Sequence, residues 1–404
     1  MLFKNSRAIR DDYRSHLLAV LNIKTADESH AWLKSWSCMT SIATPRWHLP
    51  DLAKKLGVAA LSVKDESKRS SLQSVEALGA PVGLVRLVMR EFPGAEFTAQ
   101  GLFSGAHADA LKGFTVISAT DGNHGLALAA GAKSLGCRCV ILIHRSVSEE
   151  RKVAIENFGA HVIRIDGSYS QSVQEIARMA ERNAWHVVSD TSYEGYETTP
   201  RDVMQGYGAI AAELIASEGA CPNAPSPYSH VVIQGGVGGL AAGVISYMTE
   251  YFGPRRPAFL IVEPERADCL YQSRLRSVDT QASGAADSLI DGLACRDVSP
   301  LAWRFLESTV DYFITIKNEL AINAMRILAK GSARDIPVVS GESGAAGLAA
   351  VLAIAASADD RALAGFNRSS RILVINTEGA TAPAHFTELV GCSPADVLAA
   401  QTCW

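Results

Sequence analysis

Apolar positions along the chain fall into two alternating rhythms. From Thr115 the residues to Ser118 read as a short strand, followed by a polar glycine turn and an alanine-rich helical stretch from Leu126 to Leu135. Cys137 to His144 is a nearly continuous apolar run, as expected of a strand covered on both faces of a parallel sheet. Helical spacing over Ser148 to Phe158 and Gln171 to Asn183 alternates with strand patterns at His161 to Ile165 and Trp185 to Ser189. This βαβ rhythm predicts an open parallel sheet.

A second set repeats the rhythm. It comprises a helix around Gln205 to Ser217, a strand from Val231 to Gln234, a helix from Gly239 to Thr249 and a strand from Ala258 to Val262. It resumes with a strand Asp311 to Ile316, helices around Leu320 to Ala329 and Gly344 to Ala356, and a strand Arg371 to Ile375. Two sheets in one chain follow. Gly219 to Ser229 and Thr280 to Asp287, rich in small residues, read as exposed loops. Residues 1 to about 50 read as an irregular arm anchored by Trp32, Trp36 and Trp47. Pro50 onward predicts a short helix stopped at Gly57 and a strand ending near Val63. The charged turn Lys64-Asp65-Glu66-Ser67 then leads into a run of helical spacing that ends at Gly79-Ala80, with an amphipathic helix from about Val82 to Phe92.

Bulk numbers narrow the partners. At 404 residues the chain has room for two domains, and 48% hydrophobic with 20% charged residues places it among soluble globular proteins. The formal net charge of -4 argues against nucleic acid or an anionic membrane as the main partner, while leaving a local anion site possible. No apolar run approaches membrane-spanning length, and the N-terminus lacks the apolar core of a leader, so the expected location is the cytoplasm. The eight cysteines are scattered, without metal-ligand spacing, and read as buried reduced thiols; no metal is expected.

Two turns carry candidate chemistry. Ala119-Thr120-Asp121-Gly122-Asn123-His124-Gly125 lies between a strand and a helix. Its amides and the helix N-terminus can face a carboxylate, with Thr120 and Asn123 as further donors; taken alone it could equally be an N-capped structural turn. Gln234-Gly235-Gly236-Val237-Gly238-Gly239 sits in the same kind of place, where successive glycines let main-chain N–H groups converge on a phosphate. A dinucleotide fingerprint is the competing reading, but the spacing is not G-x-G-x-x-G and the only acid near the end of the next strand is Glu263.

With these turns come KDES (64–67), DTSYEGYE (190–197), MQGY (204–207), VEP (262–264), DGLAC (291–295), SGESGAAGLA (340–349) and NTEGAT (376–381). Together they resemble the diaminopropionate ammonia-lyase branch of the fold-type II pyridoxal-phosphate enzymes, relatives of threonine dehydratase, and the resemblance runs from Thr44 to Thr381. It implies an α/β fold of two lobes, each a mostly parallel sheet flanked by helices. The large cofactor-binding lobe would be 1–87 with 206–404, and the small substrate-side lobe 88–205. It also implies a homodimer, which the aromatic arm would suit.

By position, the resemblance implies that Asn123 lies beside the cofactor ring oxygen and that Gly235, Gly236, Val237, Gly238 and Gly239 cradle the phosphate of pyridoxal 5'-phosphate. Thr377 would approach the pyridine nitrogen. Asp121 and Asp190 would face a small amino-acid substrate as catalytic groups, with Thr120 and Ser343 binding it. Family members lose the α-proton and then a β-substituent, the pyridine system acting as electron sink.

At the position where the family has a lysine that forms a Schiff base with the cofactor, this chain has Glu76, and a carboxylate offers no nucleophilic nitrogen. The neighbours depart too: Val75, Gln73, Ser70 and Ser71 stand where the family commonly has an aromatic residue, an asparagine and a Phe-Gly pair. Lys64 and Lys68 are poorly placed to substitute. Any cofactor is therefore expected to bind non-covalently. Three readings stand: a lyase acting on a small amino acid or its preformed pyridoxal adduct, a non-catalytic cofactor- or amino-acid-binding regulatory descendant, and a cofactor-independent enzyme using Glu76 and Asp121 as acid and base. In the plainest case Glu76 is only a solvated helix residue.

Overall fold

The computed structural model describes residues 1–404 except 121, 146, 167, 168 and 287, and except the side chains of 169 and 170. Among the described residues there are eleven strands: β1 (Leu2–Lys4), β2 (Arg46–His48), β3 (Ala60–Asp65), β4 (Thr115–Thr120), β5 (Arg138–His144), β6 (His161–Ile165), β7 (His186–Val187), β8 (His230–Gln234), β9 (Ala258–Pro264), β10 (Tyr312–Ile316) and β11 (Arg371–Asn376). They form a seven-stranded sheet of order β1-β10-β9-β8-β11-β3-β2 and a four-stranded sheet of order β6-β5-β4-β7. The small sheet is wholly parallel, whereas in the large one the edge strands β1 and β2 are antiparallel to their neighbours.

Helices cover both faces of the inner strands, which explains their unbroken apolar runs. Val231, Val232 and Ile233 of β8 and Ile141, Leu142 and Ile143 of β5 have no exposed surface. Each such side chain contributes roughly 1.5–3 kcal/mol of burial.

The N-terminal 50 residues are more regular than their sequence suggests. They contain β1, the Ile23–Leu33 helix, whose Asn22 N-cap accepts from the Thr25 amide, and β2. The three tryptophans are spent on this chain. Trp36 is buried and donates to Ser134 Oγ at 2.9 Å, Trp47 donates to Asp65 Oδ2 at 2.9 Å, and Trp32 lies under the Arg86 guanidinium. The thiols differ from the expectation as well: Cys139 and Cys269 are buried, but Cys221 and Cys403 are exposed. No described helix is long and apolar enough to cross a membrane.

The run after β3 departs furthest from its predicted form. In place of a helix there are two 3₁₀ turns, Glu66–Lys68 and Val75–Leu78, and a regular helix begins only at Ala80. Backbone pairing explains this. Ser74 bridges Glu378 in antiparallel fashion, Val75 N donates to Thr377 O at 2.8 Å, and Gly379 N donates to Gln73 O at 2.8 Å. The chain that follows β11 thereby holds Ser74 extended, and Gln73 is placed at φ 56, a conformation that Asn tolerates better than Gln.

A buried ionic lattice fixes the same segment on the Thr198–Glu218 helix. Lys64 Nζ donates to Glu213 Oε2 at 2.6 Å and to the Thr44 carbonyl at 2.8 Å. Arg69 donates to Glu66 Oε2 at 2.7 Å and to both Glu213 oxygens, at 2.5 and 2.8 Å. Lys64, Arg69, Glu66 and Glu213 are all buried, two cations against two anions. Burial by itself would raise the Glu213 carboxyl, but hydrogen bonds from His30 and Arg69 and the charges of Arg69 and Lys64 hold it well below the usual carboxylate range. The helix meets the 3₁₀ turn at Gly206, where a Cβ would stand 1.9 Å from the Leu78 carbonyl oxygen.

Two outcomes follow from this packing. Glu213→Gln removes the shared anion from two buried cations and should cost about 3–5 kcal/mol at pH 7 in denaturant unfolding. Because its carboxyl is depressed in the folded state, the deficit should narrow as the pH falls below about 4, where the unfolded chain takes up a proton that the folded carboxylate does not. Gly206→Ala should lower stability by at least as much as an overpacked core does, about 1–3 kcal/mol, and an unchanged melting temperature would contradict the close contact.

Candidate functional site

The candidate site lies where β3, β4, β8 and β11 end, at the carboxyl edges of parallel strands, where open α/β sheets form their crevices. Behind β8 the turn Gln234–Gly238 leads into the Gly239–Phe252 helix. Gly236 at φ 57 and Gly238 at φ 99 adopt the left-handed region that disfavours side chains. At Gly235 a Cβ would come within 2.7 Å of Glu263 Cγ. The Gly235 and Gly238 amides are already spent, on the carbonyls of Val262 and Gly235. What remains for an anion is the Gly236 and Val237 amides, with no acceptor among the described residues, and the first turn of the helix, whose amides have no intrahelical acceptors.

Glu263 has a structural task that leaves no acid for a ribose. Its carboxylate accepts from the Leu270 and Tyr271 amides at 2.9 and 2.8 Å, capping the Cys269–Arg276 helix. Burial nevertheless pushes its carboxyl up to about 8.

Two adjoining recesses make up the cleft. The recess on the glycine-turn side has an open volume of about 590 Å³ and is lined by Gly235, Gly236, Val237, Gly239, Ser343 and Thr377 among others. The second is lined by Thr120, Asn123, His124 and Arg151, with Asp291 at its edge. Glu76, Asp190 and Val237 line both, so both glycine turns meet one cleft. Gly238 lines neither, and a Cβ there would run into Leu306 and Ala302. Asp121 lies outside the described residues.

Glu76 is a cleft residue, not a solvated helix position. Ser74 Oγ donates to its Oε2 at 2.6 Å. Burial, followed by the charges of Glu378 and Asp190 and against the Ser74 bond, pushes its carboxyl up to about 7. The phenol of Tyr207 is raised far above its ordinary value, by burial first and then by Glu76 and Asp190. Asp190 is held by a loop knitted to the opposite wall: Ser192 Oγ lies 2.9 Å from Ser299 Oγ, and Ser299 N donates to Val237 O at 3.0 Å.

The first turn is organised differently from the expected carboxylate nest. Thr120 Oγ1 accepts from the Gly122 and Gly125 amides at 3.1 and 3.2 Å, so these two donors face the turn's own threonine. Asn123 Nδ2 donates to Glu378 Oε2 at 2.6 Å. His124 packs inward with Nε2 3.0 Å from the Val188 carbonyl, a structural role.

Several cleft residues carried no functional signal in the sequence. Glu378 takes bonds from Asn123 and from Ser343 N at the head of the Glu342–Ala356 helix, although NTEGAT had marked only its neighbour Thr377. Arg151 resembles a solvated residue in the acidic start of a helix, yet it is buried and its guanidinium pairs with Asp291. Burial would lower the Arg151 guanidinium, but Glu378, Asp291 and Glu342 outweigh it and raise it. Lys64 belongs to the buried lattice, and neither it nor Lys68 lines the cleft.

A family model described as pyridoxal-phosphate dependent enzyme matches residues 39–378. Diaminopropionate ammonia-lyase of Escherichia coli K12 is 34% identical over 86% of this chain and 87% of its own length. The Salmonella typhimurium protein of that description is 32% identical over 92% of this chain and 94% of its own. Among solved structures, holo diaminopropionate ammonia lyase from Escherichia coli superposes with a TM-score of 0.85 at 31% identity, covering 96% of both chains. The same enzyme in complex with D-serine superposes with a TM-score of 0.84. On this sequence and fold likeness, the chain belongs to the pyridoxal-phosphate-dependent enzyme family, on its diaminopropionate ammonia-lyase branch.

Proposed function

We propose that this protein is a lyase of the ammonia-releasing type that holds pyridoxal phosphate without a covalent link and uses Glu76 where its relatives use an amine. The observation that carries the reading is the position of Glu76, shared by both recesses, with its carboxyl raised to about 7.

The residues present fit the non-covalent part of the cofactor. At the glycine turn a phosphate can approach the helix N-terminus closely because side chains are absent. Ser343 Oγ and Gln234 Oε1 are buried without a hydrogen-bond partner among the described residues, as polar atoms awaiting a ligand would be. Thr377 lines the same recess and would approach the ring nitrogen. The covalent part is not provided for, since among the described residues no lysine lines either recess.

When bound, pyridoxal phosphate supplies an electron sink for the charge left by α-proton loss. Glu76 is suited to move that proton, because a carboxyl titrating near 7 is present in both forms at neutral pH. Ser74 orients it. Asp190, on the same cleft wall, faces the substrate's polar groups. An amino acid whose β-substituent is an amine, as in the substrate named for the relatives, would leave ammonia. The lobe division at 87–88 and 205–206 and a homodimeric state belong to the same proposal.

Three outcomes test it. Pyridoxal phosphate should leave on dialysis, and borohydride should fix no pyridoxyl group to the wild type but fix one to Glu76→Lys. A pyridoxyl group on Lys64 or Lys68 in the digested, reduced wild type would overturn the assignment of the anchor position. In ammonia-release assays on both isomers of 2,3-diaminopropionate, Glu76→Gln should reduce kcat by about 10²–10⁴. No release by the wild type would leave a binding descendant.

The third outcome is a stability measurement. The Glu76 carboxyl is raised in the folded protein, so its ionisation opposes folding above the unfolded value of about 4.5, and fully so above about 7. Glu76→Gln should therefore stabilise the ligand-free protein at pH 8, by at most about 3 kcal/mol, and by nothing at pH 4. Equal effects at both pH values would contradict the buried carboxyl.

A further inference from the structure

The charge around the missing amine points beyond the loss of a covalent link. The residues lining the two recesses include four carboxylates, Glu76, Asp190, Asp291 and Glu378, against one guanidinium, Arg151. That guanidinium is already paired with Asp291. Glu378 accepts from Asn123 Nδ2 and Ser343 N, and Glu76 accepts from Ser74 Oγ; all three donors are neutral. Among the described residues, the Glu76 end of the cleft thus lacks a cation. A family member with lysine at this position would bring its own positive charge, and here the sign is inverted.

We infer that the cleft selects a vitamin B6 phosphate already carrying a protonated nitrogen on its 4′ carbon, the aminomethyl form, over the aldehyde, and that Glu76 is the residue that pairs with that nitrogen. The inference rests on the proposed phosphate-held cofactor and names its chemical state.

Three features favour this ligand. An aldehyde offers the ionised Glu76 only an acceptor oxygen, so two acceptors would face each other, and the carboxylate would keep Ser74 Oγ as its one donor with its charge uncompensated, which is costly when buried. An ammonium supplies three donors and a compensating charge, and hydrogen bonds to a charged partner are about twice as strong as neutral ones. The glycine turn and the unpartnered Ser343 Oγ recognise the rest of the molecule, which is common to both forms. The same preference would admit an amino acid already joined through its nitrogen to the 4′ carbon, which is how a protein without the lysine could receive its substrate.

Equilibrium dialysis or calorimetry on the full-length protein at pH 7.5 tests this with three probes: pyridoxamine 5′-phosphate, pyridoxal 5′-phosphate, and 4′-deoxypyridoxine 5′-phosphate, which has a methyl group in place of the aminomethyl and cannot react with surface lysines. The aminomethyl form should bind 10-fold or more tighter than the other two. Glu76→Gln, which keeps the side-chain shape, should bring the ratio close to one, with retained folding checked by its melting curve. Glu76→Lys should reverse the order and make the aldehyde form reducible by borohydride. Equal binding of the three probes to the wild type would overturn the inference while leaving the phosphate-held cofactor standing. A preference that survives Glu76→Gln would overturn the role of Glu76. No binding of any probe would overturn both this inference and the reading beneath it.

Discussion

The shape of the cleft depends on the lattice of Lys64, Arg69, Glu66 and Glu213. Two cations and two anions removed from water are tolerable only when they satisfy one another, and here nearly every donor finds a carboxylate or the Thr44 carbonyl. The lattice joins the end of β3 to the Thr198–Glu218 helix, and so fixes where the chain must go next. That chain then pairs with the segment following β11, and at Gly206 the helix lies against the Leu78 carbonyl. Glu76, between these two constraints, has little choice but to face the cleft.

The cleft itself is built on the opposite electrostatic principle. The lattice balances its charges, whereas the cleft collects carboxylates and leaves them poorly matched: burial first, and then the charges of Glu378 and Asp190, push the Glu76 carboxyl up to about 7. Such imbalance opposes folding of the empty protein and is relieved by a ligand that brings donors or positive charge. The glycine turn, by contrast, offers a helix N-terminus to an anion. A ligand with a phosphate at one end and an amine at the other would meet both demands, and this polarity follows from the arrangement of residues independently of any reaction.

Gln73 shows how distant pairing sets the local backbone. Its φ of 56 accompanies the bond its carbonyl accepts from the Gly379 amide, in a region that asparagine enters more readily than glutamine. The mutual orientation of the two turns is fixed through Gln234 Nε2, which ties the end of β8 to the carbonyls of Ser343 and Ile375.

Much of the architecture was legible in the sequence because the signals are local. Unbroken apolar runs such as Val140 to Ile143 mark strands covered on both faces, and alternation with helical spacing marks parallel crossovers. Glycines at 235, 236, 238 and 239 mark a backbone turn whatever surrounds it. Partners distant in sequence were not legible. Residues 66–79 have helical spacing, yet hydrogen bonds to residues 377–379 hold part of the run extended. Arg151 looks solvated but is drawn into the cleft by Asp291, 140 residues away. Asn123 was visible as a donor, but its partner, Glu378, depends on how β4 and β11 are brought together. Residue type and local spacing thus determined the elements and the places where chemistry could occur. Which groups meet, and with what charge, was decided by long-range pairing, because hydrogen bonds and ion pairs act over a few ångströms in space regardless of separation along the chain.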